Sequence, residues 1–182
     1  MSEIAKYFNK TRQVVRLYLS ELNRYTPETF ALAPAPDSWS AGQMYVHLLL
    51  STNMLMIPMV ERCLKKDKTF SAKQPLITRL IFWLDRLPPT RIKMPAQAAA
   101  IPMPNLPIAE VRSALEGLIV SLDELEKKFV GSFDPEARKK HPLLGPLNAL
   151  EWLRNIDLHF RHHLRQKARI DRYLEGLQQS GF

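Results

Sequence analysis

Two histidines four residues apart, His159 and His163, fall in the run His159-Phe160-Arg161-His162-His163-Leu164-Arg165-Gln166. Residues at this spacing lie one above the other on a helix face, so both imidazoles can approach one metal ion from the same side. A third histidine, His47, stands far upstream in another helical pattern. Three neutral imidazoles suit zinc, nickel, copper or iron better than magnesium or calcium. They leave the ion its full charge and at least one open position, which is the catalytic rather than the structural arrangement.

The surroundings of these residues sharpen the reading. On the last helical pattern one stripe runs Trp152, Ile156, His159, His163, Gln166, Ile170, Tyr173, apolar at both ends and polar in the middle. His47 falls in the stripe Met44, His47, Leu48, Ser51, Leu55, which also reads as inward-facing. An unpaired polar group in a core costs about 1–3 kcal/mol. The three rings must therefore bond one another and their neighbours, or hold a ligand. A single inward histidine is ordinarily a hydrogen-bonded core residue; three on two helices favour a shared metal, because bundle cores commonly take ligands from facing helices.

Other residues weigh less. His162 is about 100° round the helix from His163, in company with Asn155, Leu158, Arg165 and Arg169, and reads as a surface residue. His141 precedes Pro142 and reads as a turn residue. No carboxylate at helical spacing completes the coordination, and Phe160 stands where a zincin has its glutamate. Neither a glycine-rich phosphate loop nor a Gly-x-Ser-x-Gly elbow is present. Cys63, the only cysteine, reads as a packed thiol rather than a nucleophile.

The elements that must position the histidines are helical. The first pattern spans Glu3 to Tyr25, with Ile4, Tyr7, Phe8, Val14, Val15, Tyr18, Leu19 and Leu22 at core spacing. A loop over Pro27 to Ser38 follows, with room for one helical turn after Thr26-Pro27. Ser40 and Gln43 form a capping box that opens the second helix, which runs to about Lys65 with a kink expected at Pro58. Leu76 to Leu87 is amphipathic, with Leu76, Ile77, Leu80, Ile81 and Leu84 on one side. Pro88 to Pro107 is too rich in proline for a helix or a central strand and reads as a long crossover. The third long helix spans Ile108 to Phe129; a polar turn region covers Gly131 to Gly145. A second capping box, Asn148 and Glu151, opens the last helix, which continues to about Leu177. No alternating strand pattern stands out. The expectation is an all-α four-helix bundle, one domain over residues 1–182.

Composition sets the outer bounds. The chain has 182 residues, 46% of them hydrophobic, enough for a real core. One cysteine allows no intrachain disulfide, and the first residues show no apolar leader; both fit a cytoplasmic protein. No apolar run is long enough to span a bilayer, so no membrane partner is expected. The net charge of +8 is scattered and comes without a nucleic-acid motif, so nucleic acid is not an expected partner.

Trp39-Ser40, then His47-Leu48, then His159-x-x-x-His163-Leu164-x-Gln166 resemble the DinB/YfiT-like superfamily of metalloenzymes. His141-Pro142-Leu143-Leu144-Gly145-Pro146-Leu147 before Glu151-Trp152-Leu153 is similar to one branch of it. Lys167 departs from the pattern, because an apolar residue is usual there. The resemblance implies an up-down-down-up bundle, His47, His159 and His163 as metal ligands, and a homodimer. It implies a divalent transition metal (zinc, nickel, manganese or iron) and, by analogy with members that use bacillithiol or mycothiol, a transferase acting on a low-molecular-weight thiol and an electrophilic substrate. Metal-dependent hydrolysis and a non-catalytic bundle that binds a ligand or partner are the alternatives.

Overall fold

Helix ends set the register of the whole chain. In the computed structural model, which describes residues 2–67, 70, 72–88 and 103–179, each long helix opens where a side chain or a proline deals with free backbone N–H groups. Ser2 accepts from the Ala5 N–H and starts α1, Glu3–Glu21, which ends in a 3-10 turn over Leu22–Arg24. Thr26 and Thr29 cap a short α2, Pro27–Ala31. The expected box of Ser40 and Gln43 forms reciprocally, at 3.1 and 3.0 Å, and opens α3, Ala41–Ser51. The second box also forms: Asn148 and Glu151 exchange bonds of 2.9 Å at the head of the last helix, α7, Ala149–Gln179. Between them lie α4, Ile57–Leu64, α5, Leu76–Leu84, and α6, Ile108–Phe129, which starts after Pro107.

The second rod is continuous from Ala41 to Leu64 through a π-helical segment, Thr52–Met56. Pro58 has no N–H to give and its ring crowds the carbonyl four residues back. The expected kink is met by widening the helix just before the proline, with the Ile57 N–H reaching back to the Thr52 carbonyl. Such segments often sit beside functional sites, and this one follows Ser51 directly.

Side-chain pairs give the directions of the four rods. Phe8 meets Phe129 at 5.1 Å while Arg112 donates to Asn23, so α1 and α6 are antiparallel. Arg154 lies over Tyr7 and Lys167 bonds Glu21, so α1 and α7 are parallel. His47 faces His159 while the Cys63 thiol approaches the Leu147 carbonyl, so the second rod runs against α7. Ser40 bonds Asn105 and Lys128 pairs with Glu61, so the second rod and α6 run together. The result is a four-helix bundle with up-down-down-up topology, in which α1 and the second rod each pack on both α6 and α7. Parallel second and third rods need a long crossover. Most of the expected proline-rich connection, residues 89–102, lies outside the described residues.

Aromatic side chains fill the middle of the bundle. Tyr18 makes edge contacts with Tyr45 and Phe160 at 5.1 and 5.2 Å. The hydroxyl of Tyr18 donates to the Phe160 carbonyl and that of Tyr45 to the Tyr18 carbonyl, so neither is buried unsatisfied. Tyr45 and Phe160 are sequence neighbours of the histidine positions, and truncating such a core ring costs about 3–5 kcal/mol. Lys167, the departure noted in the sequence, is only 3% exposed. Glu21 and Asp171 accept from its ammonium at 2.6 and 2.7 Å, which also holds the Glu21 carboxyl below its ordinary pKa.

Two sequence expectations are corrected here. The polar stretch before α7 contains an antiparallel hairpin, β1, Arg138–His141, paired with β2, Gly145–Asn148. Gly145 has φ +75 and its Cβ would stand 2.8 Å from Pro75 Cδ, so the tip accepts only glycine without strain. The amphipathic stretch at α5 docks by Thr78, Ile81 and Phe82, whereas Leu76, Ile77, Leu80 and Leu84 face outward.

Candidate metal centre

Antiparallel packing of α3 on α7 brings His47 opposite the pair His159 and His163. The Nε2 atoms of His47 and His163 lie 3.2 and 3.1 Å from Nε2 of His159. One nitrogen from each ring falls within 4.8 Å of the others, so the three together could hold one metal ion. All three residues are half-buried. Trp39 covers one side of the His47 ring at 4.9 Å.

The outer nitrogens determine where the protons sit. His163 Nδ1 lies 2.9 Å from the Gln166 side-chain oxygen, an acceptor, so Nδ1 carries the hydrogen and Nε2 keeps a bare lone pair. Ser51 donates its hydroxyl to the His47 carbonyl at 2.7 Å, which leaves its oxygen facing His159 Nδ1 at 3.4 Å. That contact also favours hydrogen on Nδ1. Two lone pairs then face each other at 3.1 Å, with the third nitrogen beside them. Neutral imidazoles with these tautomers repel one another, and a cation shared by the three nitrogens would relieve that. The donor set therefore fits a divalent transition metal.

Burial keeps the rings neutral. It pushes His47 down to about 4 and His163 down to about 3, the latter helped by the neighbouring His47 and opposed by Gln166. His159 is pushed well below its ordinary value, first by burial and then by His163 and His47. Near neutral pH the site thus presents lone pairs rather than positive charge, the form a metal requires.

The remaining sequence candidates separate cleanly. His162 is not a plain surface residue: its ring packs edge-on to His163 at 5.6 Å, and its Nδ1 is covered with no partner among the described residues. His141 is not a turn residue but the buried end of β1. Its Nδ1 accepts from the backbone N–H groups of Leu143 and Leu144 at 3.1 and 3.0 Å, and its Nε2 lies 3.3 Å from the Asn155 amide. Cys63 is a packed thiol, pushed up to about 11 by burial. Sequence reasoning missed Ser51 as an orienting group, although its place four residues after His47 puts it on the same face.

The fold is similar to that of TT2238, a four-helix bundle protein of known crystal structure. The match has a TM-score of 0.55 at 20% identity and covers 92% of this chain and 97% of that one. At that identity the likeness speaks for the fold alone. No family model and no curated protein matches the chain.

Proposed function

We propose that this protein is a metal-dependent transferase of the DinB/YfiT-like kind, with His47, His159 and His163 holding a divalent transition metal and a low-molecular-weight thiol as one substrate. The convergence of three Nε2 atoms, with Gln166 and Ser51 setting the hydrogens on the far sides, carries the reading. When bound there, zinc, nickel, manganese or iron supplies a charge that lowers the pKa of a coordinating thiol. The chain's own residues do the rest. The three rings would hold the ion, Gln166 and Ser51 would fix the tautomers, and Trp39 walls one side. Exposed Arg165 and Arg169 follow His162 at helical spacing and favour a thiol that carries negative charge.

Thiol transfer is favoured over hydrolysis by one observation. Among the described residues, the three rings hydrogen-bond to each other, Ser51 and Gln166, with no carboxylate among these partners to act as general base. The test is metal analysis of tag-free protein, wild type beside His159→Ala, followed by a screen of thiols against electrophiles. Near-stoichiometric metal lost in the variant, with turnover that requires a thiol, supports the proposal. Turnover without thiol makes the protein a hydrolase, and wild type that takes up no zinc, nickel, manganese or iron leaves a non-catalytic bundle.

A further inference from the structure

The helix α5 is fastened to the bundle along one side only. Thr78, Ile81 and Phe82 are buried; the Thr78 hydroxyl donates to the Leu144 carbonyl at 2.8 Å and Arg154 donates to the Phe82 carbonyl. Asp85, which ends the helix with φ 50, accepts from Lys10 at 2.6 Å and Arg161 at 3.2 Å and lies near Arg154. The outward side carries Leu76, Ile77, Leu80, Trp83 and Leu84, all exposed, Leu76 and Trp83 at 79% each. At about 100° per residue these five fall within an arc of roughly 120°. They form one stripe, not scattered surface residues, and a stripe of this kind marks an interaction surface.

Charge identifies the partner. Arg79 is exposed beside Trp83 along one rim of the stripe, exposed Arg86 follows the helix and exposed Lys73 precedes it. The only carboxylate in residues 72–88 is Asp85, which is held on the docked side by three cations. A second copy paired through this helix would bring a second set of Arg79, Arg86 and Lys73 to the face with no free carboxylate from residues 72–88 to answer them. The chain as a whole carries +8. Among the described residues no helix is long and apolar enough to cross a membrane. A helix with an apolar face, an exposed tryptophan and a basic rim instead lies in the plane of a lipid headgroup layer.

We propose that α5 docks this protein on an anionic bilayer surface, with Trp83 and the four aliphatic side chains entering the headgroup boundary and Arg79, Arg86 and Lys73 facing lipid phosphates. Arg161, which ties α7 to Asp85, is nearly opposite His159 around the helix, so docking through α5 leaves the histidine face of α7 turned away from the lipid.

Flotation of the full chain with vesicles tests this. Vesicles of phosphatidylcholine alone are compared with vesicles of phosphatidylcholine and phosphatidylglycerol at three to one. Wild type floats with the anionic vesicles, and its tryptophan emission shifts to the blue. Trp83→Ser, at an exposed position, keeps its thermal midpoint and loses at least about tenfold in partitioning. Arg79→Ser with Arg86→Ser loses roughly thirtyfold at low salt. The proposal is overturned if wild type stays with neither vesicle, if Trp83→Ser floats as well as wild type, or if sedimentation shows a dimer that Trp83→Ser dissociates.

Discussion

His159 and His141 lie near each other beside the same helix and meet opposite fates. Asn155 is one turn before His159 on α7, and its amide lies 3.3 Å from the His141 ring. Burial pushes His141 down to about 4 and also depresses His159. A lowered pKa therefore does not separate a site from a strut. Closure of hydrogen bonds does. At His141 one nitrogen accepts two backbone N–H groups and the other meets Asn155, so the ring is satisfied inside the protein. At the cluster the outer nitrogens of His159 and His163 face Ser51 and Gln166, and the inner nitrogens of all three rings converge on each other. The first pattern holds a hairpin tip in place; the second leaves three ring nitrogens gathered where they could hold one ion.

The largest expected effect separates the two functionally. His159→Ala lowers metal affinity by more than a hundredfold, beyond the range usual for an outer partner, and leaves the metal-free thermal midpoint within a few degrees. Metal titration followed by calorimetry checks both halves. An unchanged affinity removes His159 from the ligand set.

His141→Ala reverses the pattern. It orphans the N–H groups of Leu143 and Leu144 at the turn of the hairpin, at a cost of about 2–4 kcal/mol, with metal affinity changed by less than about threefold. Denaturant unfolding measures the first and titration the second. If metal binding falls as far as in His159→Ala, the two regions are one unit and the contrast fails.

Acid acts on both regions, with the same sign. The folded pKa of His141 is about 4, below the ordinary 6.5. Between those values the unfolded chain binds more protons. Stability is therefore complete above about pH 6.5 and is lost as pH falls toward 4, by order of 3 kcal/mol for this buried ring. His47, His159 and His163, whose values burial also depresses, lose stability over the same range and with the same sign. The metal-free midpoint falls between pH 7 and pH 4.5 in wild type and falls less steeply in His141→Ala. Equal slopes would move the acid sensitivity away from His141.

The bundle was legible because its signals are local and redundant. The boxes Ser40–Gln43 and Asn148–Glu151 form as read, and the stripes on α1, α3, α6 and α7 all turn inward. The histidine cluster was legible for the same reason, since spacing places His159 over His163 and two inward stripes must meet. What escaped depends on contacts distant in sequence. β1 reads Arg138-Lys139-Lys140-His141, with none of the apolar alternation that marks a strand, yet Lys139 and His141 are buried by packing. Periodicity showed that α5 has an apolar side but not which side docks. That choice falls to Thr78 and Asp85, two polar residues tied to the hairpin and to α7.

The smallest expected effect tests what orients the site. Gln166 is one turn after His163 and accepts its Nδ1 hydrogen at 2.9 Å. Outer partners of this kind typically contribute 10–100-fold in metal affinity, roughly, by fixing tautomer and basicity. Gln166→Leu removes the acceptor and is expected to weaken binding about tenfold, with stability unchanged within about 0.5 kcal/mol. Gln166→Glu keeps an acceptor and adds charge, so binding holds or strengthens. If both variants bind metal like wild type, His163 does not owe its tautomer to Gln166. The convergence of the three rings would then rest on helix packing alone, as the position of His141 rests on the hairpin.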